Sequence, residues 1–384
     1  MKQINMRADQ VHDSQGHGVT GLYTVKVAST DRMLPALEAD WNRLSQASEH
    51  PNVFTTYGWF QAWIRLFIEE RSGSRVRPHV LVLKEGNEVV GIAPLIRRIS
   101  SRLGFKVRKL EFATSSADYN DLIVGKDQAD LTTAAVDFLA RSADQWELLD
   151  LRDLRGEEDA ITRIEQALLR AGLHFRLFAE EERCLYFPIV APWSETMKKK
   201  NLRFARRAFC RFREGPGEGW RVRIVENPEQ EPELLDRLIA VEAQKRVDGK
   251  ESMPCLGKYP EVFQSLFGKL GSAGWITIVL VEWNDRIVAY RVLYRCGKRL
   301  WDYQSAYDHA FSSLSPGTIL ICAAIDYAFA NGLEEFDFLR GFESYKLRWT
   351  TTCHQSHRLL IWNRRWVSRL SAFAYFKLHD CRCG

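Results

Sequence analysis

The sequence has no apolar run long enough to cross a bilayer. Its longest stretches, such as Ile276 to Val281, fall far short of the roughly 20 residues that a spanning helix needs. Met1 to Thr20 is polar and has no signal-peptide core, so the chain is expected to be cytoplasmic. Cysteine is sparse, at eight residues in 384, and no CxxC pair occurs. Cys381 and Cys383 lack a second pair at zinc-ligand spacing, so the cysteines are expected to be reduced and structural. P-loop, zincin and α/β-hydrolase readings have no anchor, because GxxxxGKS/T, HExxH and GxSxG are all missing. His354 and His357 are three apart beside Cys353, but Gln355 to Trp362 reads as a strand, which points the two rings to opposite faces, and no metal is expected.

What is present is globular. Hydrophobic residues make up 46% and charged residues 27%, with 12 Trp, 12 Tyr and 21 Phe. A chain of this length is long for one core, which favours two units. The expected division is a flexible leader at 1–19, a first unit at 20–190, a second at 191–365 and a basic aromatic tail at 366–384. The net charge of +5 is compatible with an anionic partner without requiring one.

The most informative stretch runs from Trp301 to Trp349. Trp301 to Tyr307 reads as a strand, and Ser315-Pro316-Gly317-Thr318 opens a helix whose apolar residues include Ile321, Ala324, Ile325 and Ala328. Asn331-Gly332 stops it, and Phe336 and Phe338 alternate in a second strand. Pro316 has no N–H and Gly317 admits close approach, so the helix start can receive an anion such as a pyrophosphate. An ordinary cap, with Ser315 at the cap and Pro316 in the first turn, explains the same residues without a ligand.

A similar unit occurs earlier. Ala134-Ala135-Val136-Asp137-Phe138 and Leu149 to Arg152 match Ala323-Ala324-Ile325-Asp326-Tyr327 and Phe336 to Arg340 in order and phase. The hairpin Val80 to Ile96 likewise matches Ile276 to Tyr294. The fold class expected is therefore α/β with mixed sheets, in two copies. Lys126-Asp127-Gln128-Ala129 stands in the first copy where the second has Ser315 to Thr318, so only the second is expected to hold a cofactor.

The run Ser315-Pro316-Gly317-Thr318, then Phe336-Asp337-Phe338-Leu339-Arg340-Gly341, then Tyr345-Lys346-Leu347-Arg348-Trp349 resembles CelD-type members of the GNAT acyltransferases. The resemblance is best over 185–365 and implies tandem GNAT-like units. It also implies an acyl-CoA, such as acetyl-CoA, as co-substrate and transfer to an amine acceptor. CelD-type relatives imply an amino sugar or nucleotide-linked precursor in cellulose or exopolysaccharide biosynthesis. FemABX-type aminoacyltransferases are similar too, which leaves an aminoacyl-tRNA donor as an alternative. A non-catalytic component of a polysaccharide synthase is another.

Direct acyl transfer needs a base for the amine, a donor for the oxyanion and a proton for the leaving thiolate. Glu343 is the first choice for base, Asp337 the second and Asp302 a weaker third. Lys346 suits the oxyanion or a substrate phosphate, and a lysine follows the corresponding strand in FemABX-type enzymes. Tyr345 is a candidate proton donor. Structural readings stand beside each: a solvated loop acid for Glu343, a backbone-bonded Asp for Asp337 and a buried aromatic for Tyr345.

Lys198 to Arg213 holds eight basic residues and no acidic one. Leu202, Ala205, Phe209 and Phe212 share a helical face, leaving Arg203, Arg206 and Arg207 for anion contact, together with Arg340. An anionic membrane surface at the inner leaflet and phosphates of a ligand are the favoured targets. Nucleic acid ranks lowest, because Phe204, Phe209 and Phe212 are better used as core than as base platforms.

Overall fold

The computed structural model describes residues 18–20, 22–48, 51–69, 75–102, 105–113, 117–122, 124–125, 128–155, 158–213, 218–247 and 260–380. Most of the expected leader, Lys126-Asp127, and Cys381 and Cys383 lie outside these. Gly16, Gly18 and Gly21 have the GxGxxG spacing of dinucleotide-binding loops. Their context is wrong for one, since Gly18–Thr20 is a strand paired antiparallel with Tyr23–Ala28 rather than a turn opening a helix.

The repeated pattern folds as two matching halves. In the first, Val80–Glu85 and Glu88–Ala93 form a hairpin turning at Gly86, whose φ of +58° suits glycine. The helix Gln128–Arg141 follows, and Leu148–Arg155 then pairs in parallel with Phe105–Phe112. In the second, Ile276–Trp283 and Arg286–Cys296 turn at Asn284 and Asp285, both at positive φ. Arg299–Tyr307, the helix Pro316–Ala330 and Glu335–Arg340 complete it, and these two strands are also parallel. Pro94 lies between Glu88–Ala93 and Leu95–Arg102, where the chain passes from a five-stranded sheet into an eleven-stranded one. With no N–H to offer a ladder, proline suits that change of sheet.

The halves interlock through their last strands. His174–Pro188 lies between Glu335–Arg340 and Cys353–Trp362, and Cys353–Trp362 lies between His174–Pro188 and Leu148–Arg155. Each half thus inserts a strand into the sheet of the other. The strand His174–Pro188 carries a register shift between Phe178 and Glu182 in its pairing with Cys353–Trp362.

Aromatic packing reinforces the joint. The helix Tyr57–Glu69 turns Trp59 and Trp63 into the core. Phe54 stacks on Trp301 with centroids 5.3 Å apart, and Trp59 meets Tyr294 and Tyr303 edge-on at 5.9 and 5.5 Å.

A buried ion pair crosses the same joint. Arg358 on Cys353–Trp362 donates from Nε to Asp150 Oδ1 at 2.7 Å and from Nη2 to Oδ2 at 3.0 Å, and neither side chain has any exposed area. Burial opposes ionisation of Asp150, but the hydrogen bonds and charge of Arg358, together with the charges of Arg152 and Lys109, outweigh it and hold the carboxyl below its ordinary value. Arg358→Ala removes the two shortest contacts of that buried carboxylate and leaves it Arg152 at 3.2 Å and Lys109 at 3.5 Å, so a stability loss of about 1.5–3 kcal/mol is expected in urea denaturation. A loss below about 1 kcal/mol, the scale of a surface pair, would show that the joint does not depend on this contact.

Candidate active site

The site begins where two strands stop pairing. Arg299–Tyr307 and Glu335–Arg340 are in register only from Arg299 to Trp301 and from Glu335 to Asp337, then diverge. A cavity of about 670 Å³ fills the opening and takes in Asp302, Ser305, Gly317, Leu339, Glu343 and Lys346 among its walls. Gln304, Tyr345 and Arg340 line it as well, and Asp118 reaches it from the first half.

The helix start lies at one end. Ser315 is in the left-handed region at φ 55°, and its carbonyl accepts from Thr318 N–H at 3.0 Å and Ile319 N–H at 3.4 Å. Its hydroxyl does not cap the helix; Arg211 donates to it at 3.0 Å instead. Pro316 occupies the first turn without an N–H, and the Gly317 N–H precedes the first helical hydrogen bonds. A Cβ built on Gly317 meets nothing within 4 Å, so the space beside this amide is open.

The opposite wall is the bend after Asp337. Leu339 has φ 56°, a strained value for an L side chain, and Gly341 has φ 105°. Asp337 Oδ1 accepts from Leu339 N–H at 2.7 Å, and Oδ2 accepts from the Tyr119 hydroxyl at 2.6 Å. Burial first, then the charge of Glu335, raises Asp337 to about 6 against the opposing pull of Tyr119, His354 and the Leu339 amide. Asp337 is fully buried and does not line the cavity. The structure therefore places the second-choice base behind the wall, where it bonds backbone.

Lys346 is nearly buried, at 3% exposure. Its Nζ donates to Arg340 O at 2.5 Å, Leu339 O at 3.4 Å and Glu343 Oε2 at 2.9 Å, which matches three acceptors to three N–H groups. Glu343 itself is half exposed beside the cavity. Asp302 pairs with buried Arg291, and burial raises its pKa despite the charges of Arg291 and Lys346. Tyr345 is pushed up by burial and then by the Asp302 charge, so its hydroxyl stays protonated at neutral pH.

The expected anion contacts separate into two groups. Arg340 is engaged by Asp118 and Ala117 O, and by Asp153 at 3.2 Å, so its guanidinium ties the halves together rather than waiting for a ligand. Burial opposes its charge, but Asp118 and Asp153 outweigh that and raise its pKa. Arg203, Arg206 and Arg207 are exposed on the helix Lys199–Arg213 and do not line the cavity. That helix contributes Asn201, Phe204 and Ala205 instead, with Arg348 over the Phe204 ring at 4.9 Å. Arg211, Arg348 and Asp118 were not singled out by sequence reasoning. Arg211 carried a usable signal, since it belongs to the basic run.

His354 and His357 are not brought together as ligands. Among the described residues, Glu335, Asp337 and His354 have potential ligand atoms within 4.8 Å of one another. His354 Nε2 lies 3.0 Å from Glu335 Oε2 and 3.2 Å from an Arg155 guanidinium nitrogen, and Asp337 is bonded as above.

Burial of Asp337 links its protonation to the stability of the fold. Its folded value of about 6 lies above the ordinary 3.8, so the stability linked to its protonated form is full below about 3.8 and is lost as pH rises through about 6. Asp337→Asn removes this dependence, and its stability relative to the natural protein is expected to rise between pH 4 and about pH 7 in denaturant titrations. A difference that stays flat with pH would contradict the buried carboxyl.

Residues 198–347 match the family described as Acetyltransferase (GNAT) domain. No curated protein matches the sequence. The structure is similar to that of FemX, with TM-score 0.58 and 12% identity over 84% of this chain and 95% of that one. It is also similar to the C-terminal domain of a putative lysylphosphatidylglycerol synthetase from Agrobacterium fabrum, with TM-score 0.53 and 14% identity over 79% and 88% of the two chains. L-PGS from Bacillus licheniformis follows with TM-score 0.51 and 13% identity over 78% and 88%. At these identities the likeness is one of fold. Residues 198–347 are therefore similar to the GNAT acetyltransferase domain, and the chain as a whole shares a mixed α/β fold with FemX.

Proposed function

We propose that the chain transfers an acyl group from a coenzyme A thioester to an amine acceptor, in the opening between Arg299–Tyr307 and Glu335–Arg340. The observation that carries this is the continuous cavity from the open amide of Gly317 to Lys346 and Glu343. The residues fit an acyl-CoA: Gly317 leaves room for a pyrophosphate at the helix start, and Arg211 supplies positive charge beside it. The thioester supplies the activated acyl group. The diverging strand edges offer unpaired backbone groups to an extended chain.

Glu343 takes the proton from the attacking amine onto its carboxylate, being the candidate base that is both in the cavity and reachable from solvent. Lys346 directs its ammonium to the carbonyl oxygen as charge develops there, exchanging its contact with Glu343 for the oxyanion. Tyr345 returns a proton to the departing thiolate. The acceptor class favoured by the CelD-type resemblance is an amino sugar or a nucleotide-linked precursor of an exopolysaccharide.

The fold shared with FemX supports a second reading, in which the acyl group is an amino acid delivered on tRNA along the exposed arginines of Lys199–Arg213. Calorimetry of the purified protein with acetyl-CoA and with a longer acyl-CoA separates the two. Binding is expected for the natural protein, and Gly317→Trp is expected to weaken it by at least roughly 100-fold by filling the space at the helix start. No binding of either thioester, with transfer that ribonuclease abolishes, would replace the first reading by the second.

A further inference from the structure

The helix Trp366–Asp380 is docked on one side only. Ser368 and Ala372 are buried, Ser368 Oγ donates to Glu147 O, and the Tyr375 hydroxyl accepts from Arg152 at 2.7 Å. On the other side Trp366 is 68% exposed, Leu370 44% and Phe373 56%. Their spacing of four and three places all three in one narrow arc of the helix.

Charge surrounds this arc. Arg364, Arg365 and Arg369 are exposed, and residues 364–379 contain no Asp or Glu. Arg364 donates to Gly172 O at 3.2 Å and Arg365 to Asp144 O at 3.1 Å; these are carbonyls, which leave the positive charges uncompensated. Among the described residues none of the three arginines forms an ion pair. Beside the helix runs a groove of about 190 Å³ whose walls include Val107, Leu148, Val367 and Ala374. Leu370 belongs both to the groove and to the exposed arc, so the apolar surface is continuous.

An aromatic and aliphatic ridge bordered by uncompensated arginines is unfavourable in water. It is suited to the interface of a bilayer, where Trp settles at headgroup depth, Leu and Phe reach the acyl boundary, and Arg meets phosphate. We propose that this face docks the protein onto an anionic lipid bilayer. Trp366, Leu370 and Phe373 enter the interface, and Arg364, Arg365 and Arg369 rest on lipid phosphates. No helix among the described residues is long and apolar enough to cross a membrane, so the contact is peripheral at this helix.

Flotation of the full chain with vesicles tests the proposal, using phosphatidylcholine alone or with about one third phosphatidylglycerol. Binding is expected only to the mixed vesicles. The variant carrying Trp366→Ser, Leu370→Ser and Phe373→Ser is expected to lose it, with an unchanged circular dichroism melt because the three residues are exposed. Neutralising Arg364, Arg365 and Arg369 to Gln is expected to weaken binding by roughly tenfold or more. Arg206→Gln with Arg207→Gln, on the other basic helix, is expected to leave it intact. The proposal is overturned if the natural protein does not float with the mixed vesicles, or if the serine variant floats as well as it does. It is also overturned if the natural protein is a dimer that the serine variant converts to monomer, because a second copy then covers the face.

Discussion

The geometry of the candidate site depends on one buried carboxyl. Asp337 holds the Leu339 amide two residues ahead and the Tyr119 hydroxyl from the other half of the chain. The first bond supports the positive φ of Leu339, where the strand bends away from Arg299–Tyr307. The carbonyls of Leu339 and Arg340 are then taken by Lys346, whose remaining donor meets Glu343. A single chain of hydrogen bonds thus runs from the first half, through the bend, to the groups best placed for chemistry. Such networks lose most when one member is removed, because the others are left buried and unpaired.

The same logic explains why the first half remains close to the site although its own helix start lacks the Pro-Gly pair. Asp118 and Asp153 fix Arg340, and Tyr119 fixes Asp337. Asp153 shares with Ser315 and Leu339 a left-handed backbone, so three of the five non-glycine residues at positive φ among those described border this region. Strain is tolerated where surrounding contacts over-determine it. The interleaved strands His174–Pro188 and Cys353–Trp362, the Arg358–Asp150 pair and the Phe54–Trp301 stack supply that surrounding rigidity.

Much of this was legible in the sequence, because it is written in local periodicity and turn chemistry. The strand, helix and strand from Trp301 to Arg340, the two hairpins and the basic helix all follow from short-range patterns, and their recurrence signals the paired units. Contacts between residues far apart in the chain were not legible. Arg340 reads as an available cation until Asp118, 222 residues away, is seen against it. Asp337 reads as a base until Tyr119 and the Leu339 amide occupy its oxygens. The exchanged strands were hidden for the same reason, since pairing order across a sheet leaves no trace in the alternation of a single strand. The outward tilt of Arg203, Arg206 and Arg207 was readable from helical phase, whereas the use of Arg211 at the helix start depends on how two helices cross.

If the acyl group is transferred in the opening between the diverging strands, acetyl-CoA lies along it. A crystal structure of the complex with acetyl-CoA tests this placement most directly. A pyrophosphate is expected at the Gly317 amide, with the thioester carbonyl within about 3–4 Å of a position that the Lys346 ammonium can reach. Coenzyme A bound along the outer face of Lys199–Arg213, with the cavity beside Leu339 unfilled, would contradict it.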